Sequence, residues 1–528
     1  PLICLDVSPY LFDSCATPMT TPLLLIIPGI ALAMALLLPL LPQQRPGLLR
    51  VAASLAPLLQ LLLGLLCWRY PPSDLHQAWL PKLGLTLDLG LDGLSLPLVL
   101  LAALLTTLAI FVTPIDQNRP RLFFCLLLAT NLGVVGAFLA RNALLFVLAF
   151  ELVLIPTTLL VAIWGGARRA GAAIRFLLYG AVSGLCLLAA VLALGWFNGN
   201  GIDFSYESLA QVQLSAGQSR LILALLLVAC GLKLPIAPLH GWQPFSYAES
   251  PIPVVMLLSG VVSKLGAYCL LRFGVGFLGD TWVAWSPWIA AAGALSAIYG
   301  SLNAIGQADI RRLMAYSSLG HMGLLVLGLA AATPLSLQGS VAQMLAHGLI
   351  VSLLFACVGL IERKTGTSTI AELSGLLNPL RGLPLTMALL LLALMAAAGI
   401  PGLAAFPAEL LVFVGSWSAF PQATLVALVS SGLTAVYAVR LFNRVGFGRL
   451  DNQRADWPLT TWAERAPVLL LAVLVVASGL WPRALTGWSE ATTASLALRT
   501  MPSAPWSISS SLSSASPNAA PTFEVLAS

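Results

Sequence analysis

The sequence predicts an all-α protein that crosses a lipid bilayer about fourteen times, and three observations carry that expectation. The 528 residues are 59% hydrophobic and 9% charged, against about 45–50% and about 25% in ordinary soluble domains. Apolar runs long enough for about 30 Å of hydrocarbon recur along the whole chain. Basic residues alternate in density from one connection to the next, as membrane topology demands. A soluble globule is excluded, and connections this short leave no room for a second folded domain.

In order, the runs fall near 20–41, 48–68, 94–114, 121–140, 142–163, 172–196, 219–239, 251–273, 281–304, 313–333, 336–361, 384–420, 422–444 and 467–488. The first has no basic stretch before it and reads as a retained helix rather than a cleaved leader. Between the second and third, residues 69–93 alternate from Leu83 to Leu89 and predict an extramembrane hairpin. Residues 200–215 suit a surface amphipathic turn. From 489 onward Ser, Ala and Pro dominate, which predicts a mobile polar tail. The expected division is 1–93 for two helices and the hairpin, 94–120 for helix 3, and 121–280 for a first five-helix repeat (helices 4–8). A second, inverted repeat (helices 9–13) follows over 281–450, with helix 14 at 451–488 and the tail at 489–528.

The odd-numbered connections carry seventeen Lys and Arg and the opposite side seven, with two more inside helices. By the positive-inside rule the basic side faces the cytoplasm and both termini lie across the membrane. The net charge of +6 therefore records topology and implies no nucleic-acid partner. Eight cysteines occur without a CxxC, a CxxCH or a Cys/His cluster, so no iron–sulfur cluster, haem or structural zinc is expected in this chain.

Four ionisable residues interrupt the apolar runs: Glu151, Lys233, Lys264 and Glu409. A charge at mid-bilayer costs about 2.5–3.5 kcal/mol even on insertion scales, so each needs a partner or a hydrated cavity, and the default reading is a proton or ion path. Salt bridges that merely lock helices together are the alternative. His321 and His347 extend the set, with His240 nearer a helix end, and an imidazole titrates close enough to neutrality to pass protons. Helix breaks add a second signal. Pro235 and Pro238 follow Lys233 directly, while Gly399, Pro401, Gly402 and Pro407 precede Glu409. Broken helices in corresponding positions of two halves mark the binding sites of inverted-repeat transporters, and here they fall in helices 7 and 12.

These residues resemble the proton-conducting core of the antiporter-like subunits of complex I. The likeness rests on Phe150-Glu151-Leu152 with Ile163-Trp164-Gly165, on Lys233-Leu234-Pro235 with His240-Gly241-Trp242-Gln243-Pro244, and on Glu249-Ser250-Pro251. Ser263-Lys264-Leu265-Gly266-Ala267-Tyr268, Asp309-Ile310-Arg311-Arg312-Leu313, Ala315-Tyr316-Ser317-Ser318, His321-Met322-Gly323, His347-Gly348, Glu362-Arg363 and Asp92-Gly93-Leu94-Ser95 continue it. It spans roughly 85–485, and Glu409, where sister subunits carry a lysine, makes the chain similar to the chain 4 type. The resemblance implies that Glu151 pairs with Lys233, that Lys264 is the central relay, that His321 and His347 carry protons toward Glu409, and that Glu409 gates exit. One stretch departs: the family's Trp-Leu-Pro-Asp-Ala-His reads Trp242-Gln243-Pro244-Phe245-Ser246-Tyr247, which removes an aspartate and a histidine beside helix 7.

The family implies a proton-translocating subunit of a quinone-reducing NAD(P)H dehydrogenase complex, with no cofactor in this chain. Quinone, NAD(P)H or ferredoxin and iron–sulfur clusters belong to a peripheral redox arm and other membrane subunits, sister antiporter-like chains among them. The divergence and the polar tail resemble cyanobacterial paralogues of carbon dioxide-uptake complexes, which implies a thylakoid membrane, plastoquinone and lumenal termini. The rival readings are an Mrp-type cation/proton antiporter subunit without redox coupling and a scaffold with a vestigial relay.

Overall fold

A computed structural model describes residues 22–198, 202–449 and 460–500. Thirteen helices among them are long and apolar enough to cross a membrane, and a fourteenth crossing is built from two half-helices. In chain order they are α1 (Pro22–Leu37), α2 (Pro46–Arg69), α3 (Ser95–Val112), α4 (Pro120–Leu139), α5 (Ala143–Trp164), α6 (Arg169–Trp196) and α7 (Ala216–Lys233). Then come α8 (Ile252–Val275), α9 (Gly279–Ile305), α10 (Ile310–Ala331), α11 (Pro334–Thr365), α12a (Pro384–Ala397), α12b (Ala405–Trp417), α13 (Pro421–Gly446) and α14 (Trp462–Leu480).

Local chemistry fixes where helices begin. Asn142 opens α5 by accepting from the amides of Leu144 and Leu145 at 3.0 and 3.1 Å, and Asp309 opens α10 through the Arg312 amide at 3.0 Å. Ser215 with Gln218 and Thr333 with Ser336 form reciprocal caps on α7 and α11. Each cap satisfies amides that have no partner within the helix. Both expected breaks are present. The helix of α7 stops at Lys233 and resumes only as the short Gln243–Glu249 helix. Between α12a and α12b, Gly399 and Gly402 take φ of +70° and +90°, values that only glycine adopts without strain.

Two helices form the centre. Every residue of α8 from Ile252 to Val275 and every residue of α11 from Gly339 to Ile361 is buried, so polar side chains on them face protein and not lipid. Helices α9 and α10 cross at glycines: a Cβ at Gly293 would stand 2.8 Å from the Gly323 carbonyl, and one at Gly320 would stand 3.4 Å from the Ala297 carbonyl. Small residues at such a crossing bring helix backbones into contact where no hydrophobic force drives them together. The lipid-facing sides of α6, α9 and α13 carry Leu185, Trp288, Leu302 and Val429 outward.

The expected hairpin is β1 (Leu75–Leu80) paired antiparallel with β2 (Leu85–Leu89), turning at Gly84 with φ +63°. It lies on the face opposite the basic connections. There Asp92 binds Arg272 at the end of α8 and lies 3.4 Å from Arg141 between α4 and α5. On the basic face, Arg311 at the start of α10 pairs with Glu362 at the end of α11 and donates to the Ala248 and Ser250 carbonyls at 3.0 and 2.6 Å.

The tail expected from residue 489 is corrected over its first stretch. Glu490–Leu498 is helical, with Leu496 and Ala497 buried, and Arg499 donates to the Gly276 carbonyl at 3.0 Å. Leu496 and Ala497 supply the apolar face that composition alone concealed. Residues 501–528 lie outside the described residues.

Candidate functional site

Lys264 sits where α8 is not an α-helix. Leu258–Val262 forms a π-helical turn in which the Ser263 amide reaches back five residues to the Leu258 carbonyl at 3.1 Å. The turn frees the Ser259 carbonyl to accept from the Ser263 hydroxyl at 3.0 Å and from the Lys264 ammonium. Such bulges are rare, and they concentrate at functional sites. The same ammonium is 2.7 Å from Nδ1 of His347 on α11. Because an ammonium can only donate, Nδ1 accepts, and the ring's own proton belongs on Nε2.

His347 Nε2 has no protein partner, nor do His321 Nε2, Gln343 Oε1 and Ser318 Oγ. All four residues line one small cavity between α10, α11 and the break in α12, with about 10 Å³ of room for the centre of a water molecule. That is space for about one water, and buried waters take about three hydrogen bonds from polar groups otherwise unsatisfied. The two imidazoles stand 5.6 Å apart, centre to centre, which such a water spans. On the far side, His321 Nδ1 lies 3.4 Å from Glu409 Oε1, and Glu409 Oε2 accepts from the Ser431 hydroxyl at 2.7 Å. Glu409 is 4% exposed. A Cβ on Gly399 would come within 2.9 Å of its carboxylate, so the helix break holds both the cavity and the acid.

The other expected pair meets differently. Lys233 is buried at the end of α7, with its ammonium 4.3 Å from the centre of the Phe150 ring. Glu151, on the next residue of α5, does not make a direct ion pair with it; its carboxylate packs on the backbone of Gly184 in α6. The cation is held by a ring face, an interaction worth about 2 kcal/mol when desolvated, while the acid is held apart. Gly266 then seats α8 against the end of α7, where a Cβ would stand 2.9 Å from the Cys230 carbonyl.

Of the seven residues expected to carry protons, the structure brings Lys264, His347, His321 and Glu409 into one file and sets Glu151 beside Lys233. His240 stands apart: it is half-buried and packs edge-on against Tyr299 and Tyr316. Sequence reasoning missed Gln343, one helical turn before His347, as well as Ser431 and Phe150. The first was signalled by its i−4 spacing; the others follow only from helix packing.

Gly184 offers a direct test of the first pair. A Cβ there would collide with the Glu151 carboxylate, so Gly184→Ala is expected to displace the acid at a cost of about 1–3 kcal/mol. Turnover should fall while the protein still assembles. Wild-type turnover in assembled protein would show that the Glu151 position does not matter.

Residues 140–434 match the family described as NADH:quinone oxidoreductase/Mrp antiporter, TM. NAD(P)H-quinone oxidoreductase chain 4 2 of Thermosynechococcus vestitus is 36% identical over 498 residues, covering 90% of this chain and 92% of that relative. NAD(P)H-quinone oxidoreductase chain 4 of Synechococcus sp. strain WH7803 is 38% identical over 419 residues, covering 78% and 76%. In solved structures, a chain of respiratory complex I from Thermus thermophilus with bound NADH superposes with a TM-score of 0.82 at 28% identity, over 91% of this chain and all of that one. A chain of the Mrp complex from Dietzia sp. reaches 0.79 at 21% identity over 90% of this chain and 97% of that one, a likeness of fold. The buried file of lysine, histidines and glutamate thus lies in a chain that belongs to the NADH:quinone oxidoreductase/Mrp antiporter membrane-subunit family.

Proposed function

We propose that this chain translocates protons as a membrane subunit of a quinone-reducing, NAD(P)H dehydrogenase-type complex, and that Glu151, Lys233, Lys264, His347, His321 and Glu409 carry them. The observation that supports it most is the contact series from Lys264 to His347, across the cavity to His321, and on to Glu409. Four titratable groups buried in one file are costly in a membrane protein, and function is the usual compensation. When the Lys264 ammonium gives its proton to His347 Nδ1, the ring releases the proton on Nε2 toward the cavity. Water there passes it to His321 and so to the Glu409 carboxylate. Each carrier ends neutral or reprotonated, and one proton has advanced.

Glu151 sets the first step. An opposite charge drawn near Lys233 favours its ammonium, while burial disfavours it, so a shift of Glu151 off Gly184 toward Lys233 would load a proton and its return would release one. The two breaks, in helices 7 and 12, support two inverted five-helix repeats over 121–280 and 281–450. Cyanobacterial relatives support a thylakoid location, with the basic face cytoplasmic and the hairpin and termini lumenal. Electrons would pass through partner subunits holding NAD(P)H or ferredoxin, iron–sulfur clusters and plastoquinone, in respiratory, cyclic or carbon dioxide-uptake service. The Mrp reading is weaker, since the likeness to that complex is one of fold.

Lys233→Met and Glu151→Gln in the assembled complex test this reading. Protons moved per electron are expected to fall in both, measured as dye quenching in membrane vesicles against quinone reduction. An unchanged ratio would leave the chain a scaffold. Sodium/proton exchange that persists without quinone would make it an antiporter.

A further inference from the structure

Away from the buried file, four helix ends on the basic face meet at one cavity. The beginnings of α2 and α14 and the ends of α3 and α11 enclose about 380 Å³, the size of a small-ligand site. Its polar wall is built from Arg50 on α2, Arg363 and Lys364 on α11 and Glu464 on α14, and Phe111 and Val468 are among its apolar residues. Arg50 donates to the Thr113 carbonyl and Arg363 to the Val112 carbonyl at 2.9 Å. Two guanidiniums from different helices therefore converge on the last carbonyls of α3, close enough to feel each other's charge.

A helix C-terminus attracts cations, but half an elementary charge does not balance two arginines. Glu464 serves Arg363 and Lys364 at once, each at 3.2 Å, and among the described residues no carboxylate pairs with Arg50. Asp116 is exposed on the rim. The described walls thus set three basic groups against two acidic ones and keep an excess of one positive charge. The level in the membrane is marked by Trp462 at the start of α14, which is 74% exposed and lies under the Arg465 guanidinium. Tryptophan in such a place belongs to the belt where hydrocarbon gives way to headgroups. Val51, Phe111 and Ile115 are exposed beside the cavity, an apolar strip next to a cationic hole.

We propose that this cavity binds the phosphodiester of an anionic membrane lipid, gripped by Arg50 and Arg363, with an acyl chain along Phe111 and Ile115. A phosphodiester carries one negative charge, which matches the excess, and planar guanidiniums suit its paired oxygens. Basic pockets between transmembrane helices take such headgroups. Seated there, the lipid ties α2 and α3 to α11 and α14. Free phosphate offers the same oxygens without the chain, so the two sources are separable.

The test uses the assembled complex, stripped of lipid in detergent and returned to phosphatidylcholine nanodiscs into which phosphatidylglycerol is titrated. Retained phosphatidylglycerol is read by lipid mass spectrometry, and thermal unfolding is the second readout. Arg50→Gln and Arg363→Gln are each expected to weaken binding about fivefold, the scale of one basic residue facing an anionic headgroup, and the double variant more. Arg119→Gln, exposed on the same face at the start of α4, should bind as wild type. Glu464→Gln can still accept from the Thr461 amide, keeps the helix cap and removes the competing charge, so it should bind more tightly. Unchanged binding in the double variant would overturn the site. Weaker binding in Glu464→Gln would show that the arginines only clamp helix ends. Inorganic phosphate that protects the lipid-free complex as well as phosphatidylglycerol does would overturn the lipid assignment.

Discussion

Glu409→Gln is expected to reduce proton passage through this chain about 100-fold, the scale at which a positioned acid–base group contributes, while the complex assembles and reduces quinone. The amide is isosteric and can still accept from Ser431 and face His321. It cannot hold and release a proton. Protons translocated per electron should therefore drop by this subunit's share, whereas Glu409→Asp, shorter but titratable, should retain part of it. An undiminished ratio in Glu409→Gln would remove the carboxylate from the path.

Asp92→Asn should produce the largest loss of stability. Arg272 is buried beside it, Arg141 lies 3.4 Å away, and loss of the carboxylate would leave guanidinium charge without its counter-ion. Breaking a buried pair from one side costs about 3–5 kcal/mol. Thermal unfolding in detergent should show it, and Asp92→Asn combined with Arg272→Met should recover a good part. Burial by itself would raise the Asp92 carboxyl, but Arg272 and Arg141 together hold it well below the usual carboxylate range. A carboxyl depressed in the folded state stabilises above its unfolded value and loses that contribution as pH falls through the folded one. The midpoint contributed by this group should hold constant from pH 7 to about 5 and fall only in stronger acid, below about 4. A double variant no more stable than Asp92→Asn would show that the uncompensated arginine is not the cause.

The crossings were legible because a bilayer-spanning helix must be apolar for about 20 residues, and glycine and proline around Gly399 and Pro401 announce the interruption of helix 12. The π-helical turn at Ser259 was not legible: shifting one hydrogen bond from four residues back to five leaves the same apolar letters. Glu151 was expected to pair with Lys233, and the spacing of letters says nothing of the gap that stands between them. That gap is set by Phe150 and Gly184, residues that read as ordinary packing. Asp92 and Arg272 stand 180 positions apart, and no local pattern links them. His240 was set apart from its two fellow histidines only by its place nearer a helix end, and it is the placement of the segment after Lys233 that sets it among tyrosines. The helix Glu490–Leu498 hid in a composition shared with the residues after it.

Helix α11 carries His347 and Gln343 and is enclosed on every side along its middle. An element packed all round cannot tilt or slide without unseating its neighbours in α3, α8, α10, α12b and α14 together. Rocking of whole halves, the habit of carriers that expose one pocket to each side in turn, would have to tear this axle out of its bearings. In the proposed relay, switching therefore falls to side-chain motions, the shift of Glu151 and imidazole flips among them, and to the arrival or departure of single solvent molecules, motions that run faster than any rigid-body swing.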